Sequence, residues 1–86
     1  MNFYVYMIRT ISGATKKTYV GYTNDIKNRL IKHNSNKGAK STKGYKWKII
    51  YKKKFSSKSA AMSFEYILKK NRKKRLIILK QIDEIN

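Results

Sequence analysis

"FYVYMIRTISGATKKTYVGY", residues 3–22, decides the fold. Its first seven residues are rich in aromatic and β-branched side chains, and a strand period sends Phe3, Val5 and Met7 to one face and Tyr4, Tyr6 and Ile8 to the other. "KTYVGY", residues 17–22, reads the same way. Between them "TISGATKK" carries turn chemistry around Gly13, which predicts an antiparallel hairpin. A tight turn about Ser12 and Gly13 would bring Tyr6 opposite or diagonal to Tyr19.

Downstream, "TNDIKNRLIKHN" (residues 23–34) opens with the cap formers Thr23 and Asn24 and places Asp25 in the first turn, where the helix dipole favours an acid. Its apolar stripe is Ile26, Leu30 and Ile31, with Arg29 and His33 flanking the buried face. "SNKGAKSTKGYK" (35–46) is polar and spaces Lys37, Lys40, Lys43 and Lys46 evenly, as a basic loop does. "WKIIYKKKF" (47–55) predicts a third strand running into a charged edge. "SSKSAAMSFEYILKK" (56–70) predicts a helix capped by Ser56 or Ser57, followed by a very basic helical segment. The order ββαβαα predicts one small α+β domain over residues 1–86: a three-stranded antiparallel sheet with flanking helices, its core at about 3–70 and a basic C-terminal segment at 71–86.

Composition narrows the function. A chain of 86 residues buries roughly 60–65% of its unfolded surface, enough for one small core without staples. It has no Cys and one His, which argues against a disulfide framework and an all-protein zinc site and fits an intracellular setting. With no long apolar run and no signal-peptide pattern near Met1, a soluble, uncleaved protein is expected, with no membrane role. The formal charge of +18 calls for a polyanion, and nucleic acid is the obvious one. Eighteen Lys against four Arg is also what AT-rich coding produces, so part of that charge has a mutational explanation.

Four acids stand against this background. Asp25 suits a helix start, and Asp83 and Glu84 lie near the C-terminus. Glu65 shares a helical stripe with Ala61, Phe64 and Leu68, facing the apolar side. An ion pair with Lys69 at i, i+4 is one account of it. The other is a divalent cation, because Mg²⁺ accepts a single carboxylate while keeping waters and taking the remaining ligands from a substrate phosphate. Arg29 offers phosphate a planar fork in a chain that otherwise prefers Lys, although an Asp25–Arg29 helix pair is an alternative. His33 in a last helical turn has a dipole explanation. Tyr19 becomes a candidate general base only in the company of Arg29 and a positive field.

"YVY" (4–6), "TYVGYTNDIKNRLIKHN" (18–34), "KGAKSTKG" (37–44), Trp47 and "FSSKSAAMSFE" (55–65) together resemble the GIY-YIG nuclease family. The likeness is greatest to the branch holding the nuclease subunit of the eukaryotic branched-DNA endonuclease and its small bacterial and viral relatives. The resemblance implies a metal-dependent DNA endonuclease with Tyr6 and Tyr19 as paired tyrosines, Tyr19 activating water and Arg29 stabilising the transition state. It further implies that His33 assists proton traffic and that Glu65 binds one Mg²⁺ or Mn²⁺ ion. Lys37, Lys40, Lys43 and Lys46 are expected on the DNA, whether branched, nicked or flapped. The first motif's glycine is Tyr4 here, the second motif's isoleucine is Val20, and Ile77 stands where some branches carry Asn. A basic module that binds nucleic acid without cutting is the alternative.

Overall fold

The computed structural model describes residues 2–11 and 17–85, with side chains through residue 82. The expected turn at Ser12 and Gly13 lies outside the described residues. Three strands, β1 (Phe3–Thr10), β2 (Thr18–Thr23) and β3 (Trp47–Phe55), form an antiparallel sheet in the order β2-β1-β3. Helix α1 (Ile26–Asn34) follows β2, and α2 (Lys58–Lys70) and α3 (Arg72–Ile85) follow β3, which gives the order ββαβαα.

β1 is central, and this explains its composition: a strand covered on both faces needs apolar residues at every position rather than at alternate ones. Val5, Met7 and Val20 pack with Ala61 and Leu68 of α2 and Ile78 of α3. On the opposite face Tyr6 and Ile8 pack with Trp47, Leu30 of α1 and Ile49. The alternation expected for residues 3–8 therefore holds, and the sheet separates two small cores. Between Met7 and Ile8 the pairing with β3 slips by one residue, so that Met7 faces Tyr51 and Ile8 faces Ile49. Such a bulge strengthens the local twist.

Two expectations for α1 need correction. Asp25 is the N-cap itself, its carboxylate accepting from Asn28 N at 3.0 Å, rather than a residue of the first turn. Ile31 is 63% exposed, and the place it was expected to fill under the helix belongs to His33, which is 1% exposed. A turn beyond Leu30, His33 meets polar groups of the following loop, so an imidazole suits the position better than an alkyl chain. That loop is more ordered than its composition suggests: it contains a 3-10 turn at Lys40–Thr42. Ser57 caps α2, accepting from Ala60 N at 3.1 Å. At the next junction Asn71 Oδ1 accepts from Lys74 N, and Arg75 donates to the carbonyls of Leu68 and Lys69, which satisfies the end of α2.

Candidate active site

Tyr6 lies opposite Gly21 in the register, and Tyr19 opposite Ile8, so the two tyrosines are diagonal neighbours on one face. Gly21 makes their approach possible. A Cβ there would lie 2.5 Å from the Tyr6 hydroxyl oxygen, 2.8 Å from Tyr6 Cζ and 3.1 Å from Tyr19 Cε2. The ring centroids are 6.5 Å apart, and the His33 ring completes a triangle at 5.8 Å from Tyr6 and 5.1 Å from Tyr19.

A chain of hydrogen bonds fixes the protons at the base of this triangle. Thr42 donates its hydroxyl proton to the Ala39 carbonyl at 2.7 Å. Its oxygen is therefore the acceptor in the 3.0 Å contact with His33 Nδ1, so that nitrogen carries the proton. Nε2 is then a lone pair, and Tyr6 donates to it at 2.8 Å. The tautomer assigned from this network is the neutral Nδ1–H form. Burial lowers the His33 pKa below its ordinary value, and the positive charge of Arg29 lowers it further.

Tyr6 shows the opposite effect. Burial of the phenol pushes its pKa up to about 12 against the hydrogen bond and charge of Arg29, while Tyr19 and Glu65 raise it further. Four of the five expected catalytic side chains thus act on Tyr6: Arg29, His33, Tyr19 and Glu65. Arg29 Nε is buried without a hydrogen-bond partner, and the residue lines a cleft of about 510 Å³ with Phe3, Tyr22, Lys32 and Lys58. The alternative ion pair with Asp25 does not form between these described residues, and the Asp25 carboxylate instead caps the helix.

Glu65 faces inward as its stripe requires, its side chain 16% exposed, and lines a second cleft of about 620 Å³ with Tyr22, Met62 and Tyr66. Tyr22 is the wall common to both clefts. Glu65 Oε1 lies 3.1 Å from Lys69 Nζ, and Lys69 Nζ is 5.7 Å from the centre of the Tyr19 ring. Of the two accounts of the glutamate, the helix pair is formed, and the same carboxylate also lines this cleft. Among the described residues no group of three or more His, Cys, Asp or Glu is placed to form an all-protein metal cage. A lone carboxylate on open space fits a hydrated Mg²⁺ or Mn²⁺ and does not fit structural zinc.

Lys37, Lys40, Lys43 and Lys46 are exposed around the loop. Lys46 is also structural, donating to the Asn34 carbonyl at 2.7 Å. The loop wraps His33: a Cβ on Gly38 would lie 2.5 Å from His33 Nδ1, and Trp47 Nε1 donates to the Thr42 carbonyl at 3.0 Å. Thr42, Gly38 and Tyr22 carried no periodic or motif signal of their own. Only their membership in the quoted runs marked them.

The model of the GIY-YIG catalytic domain family matches residues 2–77. The chain is 47% identical over 73 residues to a UPF0213 protein of Streptococcus pneumoniae serotype 4, covering 84% of this chain and 69% of that one. It is 38% identical to the uncharacterized protein L300 of Acanthamoeba polyphaga mimivirus, over 98% of this chain and 55% of that protein. The solution NMR structure of the UPF0213 protein BH0048 from Bacillus halodurans superposes with a TM-score of 0.52 at 36% identity, covering 94% of this chain and 85% of that one. The family match places this α+β sheet domain in the nuclease class. The chain belongs to the GIY-YIG family, whose members are nucleases acting on DNA.

Proposed function

We propose that this chain is a Mg²⁺- or Mn²⁺-dependent DNA endonuclease that hydrolyses phosphodiester bonds in branched, nicked or flapped DNA. The observation that carries this reading is the convergence on the Tyr6 hydroxyl of His33 Nε2 at 2.8 Å, the Arg29 guanidinium and the charge of Glu65, beside Tyr19, with Arg29 and Glu65 each lining an open cleft. A phosphodiester lying along Tyr22 would meet the guanidinium on one side and the carboxylate on the other.

In the hydrolysis, water oxygen bonds to phosphorus as one P–O ester bond breaks. Tyr19, half-buried on the edge strand, acts as phenolate and accepts the proton of the attacking water, becoming the neutral phenol. Tyr6, with its pKa near 12, stays protonated and donates to His33, so its oxygen lone pairs are free to accept from Arg29. Arg29 stabilises the charge that accumulates on the phosphoryl oxygens, and its unpartnered Nε is a donor held in reserve for such an oxygen. The leaving oxyanion takes a proton from water in the cleft. Glu65 would hold the cation, which when bound supplies Lewis-acid polarisation of the phosphoryl group. The lysines at 37, 40, 43 and 46 would hold the DNA backbone.

Purified protein incubated with labelled plasmid, nicked, flapped and forked DNA in Mg²⁺ or Mn²⁺ tests this directly. Cleavage is expected, abolished by Glu65→Ala and by Tyr19→Phe while DNA binding survives. Undiminished cleavage in both variants would refute the site. Binding without cleavage by the parent chain would leave only the basic binding module, to which the charge of +18 also lends itself.

A further inference from the structure

We infer that Thr42 is a positioning residue for Tyr6: by accepting from His33 Nδ1 and donating to the Ala39 carbonyl, it locks His33 in the tautomer that draws the Tyr6 hydroxyl proton away from the reaction centre. The inference rests on the proposed hydrolytic role of Tyr6 for its kinetic consequence only. Its structural part stands on the bonds themselves.

Each bond in the chain has one possible direction. The Ala39 carbonyl cannot donate, so Thr42 Oγ1, 2.7 Å away, must. That spends its only proton and leaves it an acceptor toward His33 Nδ1 at 3.0 Å. His33 Nε2 must then accept, and Tyr6 must donate at 2.8 Å. The polarity of this buried network is thus set from the loop backbone, since the carbonyl can only accept. Without Thr42 both imidazole tautomers become available, and in one of them Nε2–H points at the tyrosine oxygen and occupies a lone pair that Arg29 would use.

The surroundings suit this role. Thr42 is fully buried, as are the Tyr6 and His33 rings, so water cannot readily replace a lost partner. Gly38 lets the chain pass close over Nδ1, and the Trp47 indole fixes the Thr42 carbonyl at 3.0 Å. The 3-10 turn carrying Thr42 begins at Lys40, one of the four exposed loop lysines. The element that would touch the DNA backbone is therefore the element that sets the hydroxyl's direction.

Nitrogen-15 NMR of the His33 ring at neutral pH, together with single-turnover cleavage, tests the inference. The parent chain is expected to show the Nδ1–H tautomer alone. Thr42→Val should show mixed tautomers and a cleavage rate lower by roughly 10–100-fold, the range typical when a partner that orients a functional His is lost, with DNA affinity unchanged. Thr42→Ser should restore both the spectrum and the rate. An Nε2–H form in the parent chain would overturn the inference whether or not Thr42→Val folds, and so would a Thr42→Val protein with unaltered tautomer and rate. Absence of cleavage by the parent chain would refute the nuclease reading, and the ring spectra would still decide the role of Thr42.

Discussion

Gly21→Ala adds one methyl group at the most crowded point of the site. It would lie 2.5 Å from the Tyr6 hydroxyl oxygen, about 0.9 Å inside the 3.4 Å at which ordinary contact begins. Tyr6 is 2% exposed and hydrogen-bonded at 2.8 Å to His33, so the ring has no solvent-filled space into which to retreat. Overpacking of this kind costs about 1–3 kcal/mol. Removing a glycine from the unfolded ensemble returns about 0.4–1 kcal/mol where the backbone tolerates a side chain, as in this strand. A net loss of up to about 2.6 kcal/mol is expected, which for a chain of this length lowers Tm by up to roughly 20 °C. Activity should suffer far more, since a displacement approaching 1 Å at a reacting group costs on the order of 100-fold. Urea unfolding and single-turnover cleavage on the same preparation give the two numbers. A variant with parental stability and rate would show that the tyrosines do not depend on the gap at Gly21. As a control, Gly44 adopts φ +85° with nothing within 4 Å, so Gly44→Ala should cost stability through backbone strain and leave cleavage intact.

Four further perturbations separate the terms. Because the folded-state pKa of His33 lies below its ordinary 6.5, the unfolded chain binds the extra proton; stability is therefore complete above pH 6.5 and falls as pH drops below it, a slope that pH-dependent urea unfolding should show and His33→Gln should remove. Tyr6, raised to about 12, contributes stability that is complete below pH 10 and lost between pH 10 and 12, and Tyr6→Phe should flatten that loss. Substituting Ala at Lys37, Lys40 or Lys43 should reduce the salt slope of DNA binding by roughly one per site with Tm unchanged, whereas Lys46→Ala should also lower Tm because its ammonium bonds the Asn34 carbonyl. Lys69→Met should change stability by less than about 0.5 kcal/mol, since Lys69 is 47% exposed, and should tighten Mn²⁺ binding measured by calorimetry because it frees Glu65 Oε1.

The strands and α2 were legible because their signals are local and periodic. Alternation along β1, the serine cap before α2 and the stripe through Ala61, Phe64, Glu65 and Leu68 all appear in the structure. Helix α1 was misread at Ile31 because hydropathy assigns the buried position to the more apolar residue, whereas the loop offered polar partners and gave it to His33. The loop was illegible for a related reason: its order comes from bonds to distant groups, such as Trp47 N to Asn34 Oδ1 at 2.6 Å and Gly44 N to Asn36 Oδ1 at 2.8 Å. Polar contacts across sequence separation leave no period to detect. The site residues were individually ambiguous and became readable only as a set.

The placement of the site follows from the two-core architecture. A three-stranded sheet with its central strand covered on both faces has one core built from α1 and the loop and another from α2 and α3. Groups from the two cores can approach each other only around a sheet edge, and β2 is the shorter of the two edge strands. Tyr6, Arg29 and His33 approach that edge from one side and Glu65 from the other, with Tyr19, Gly21 and Tyr22 of β2 between them. Gly21 is the position where the strand is thin enough for the Tyr6 hydroxyl to come close, and this puts the proposed site at this edge rather than at β3. β3 spends its end on Lys52, Lys53 and Lys54, which protect an exposed strand from pairing with another chain. The proposed reaction would therefore need only a single carboxylate near the middle of α2, because the edge brings it to the field of a buried phenol that every other catalytic candidate already contacts or polarises.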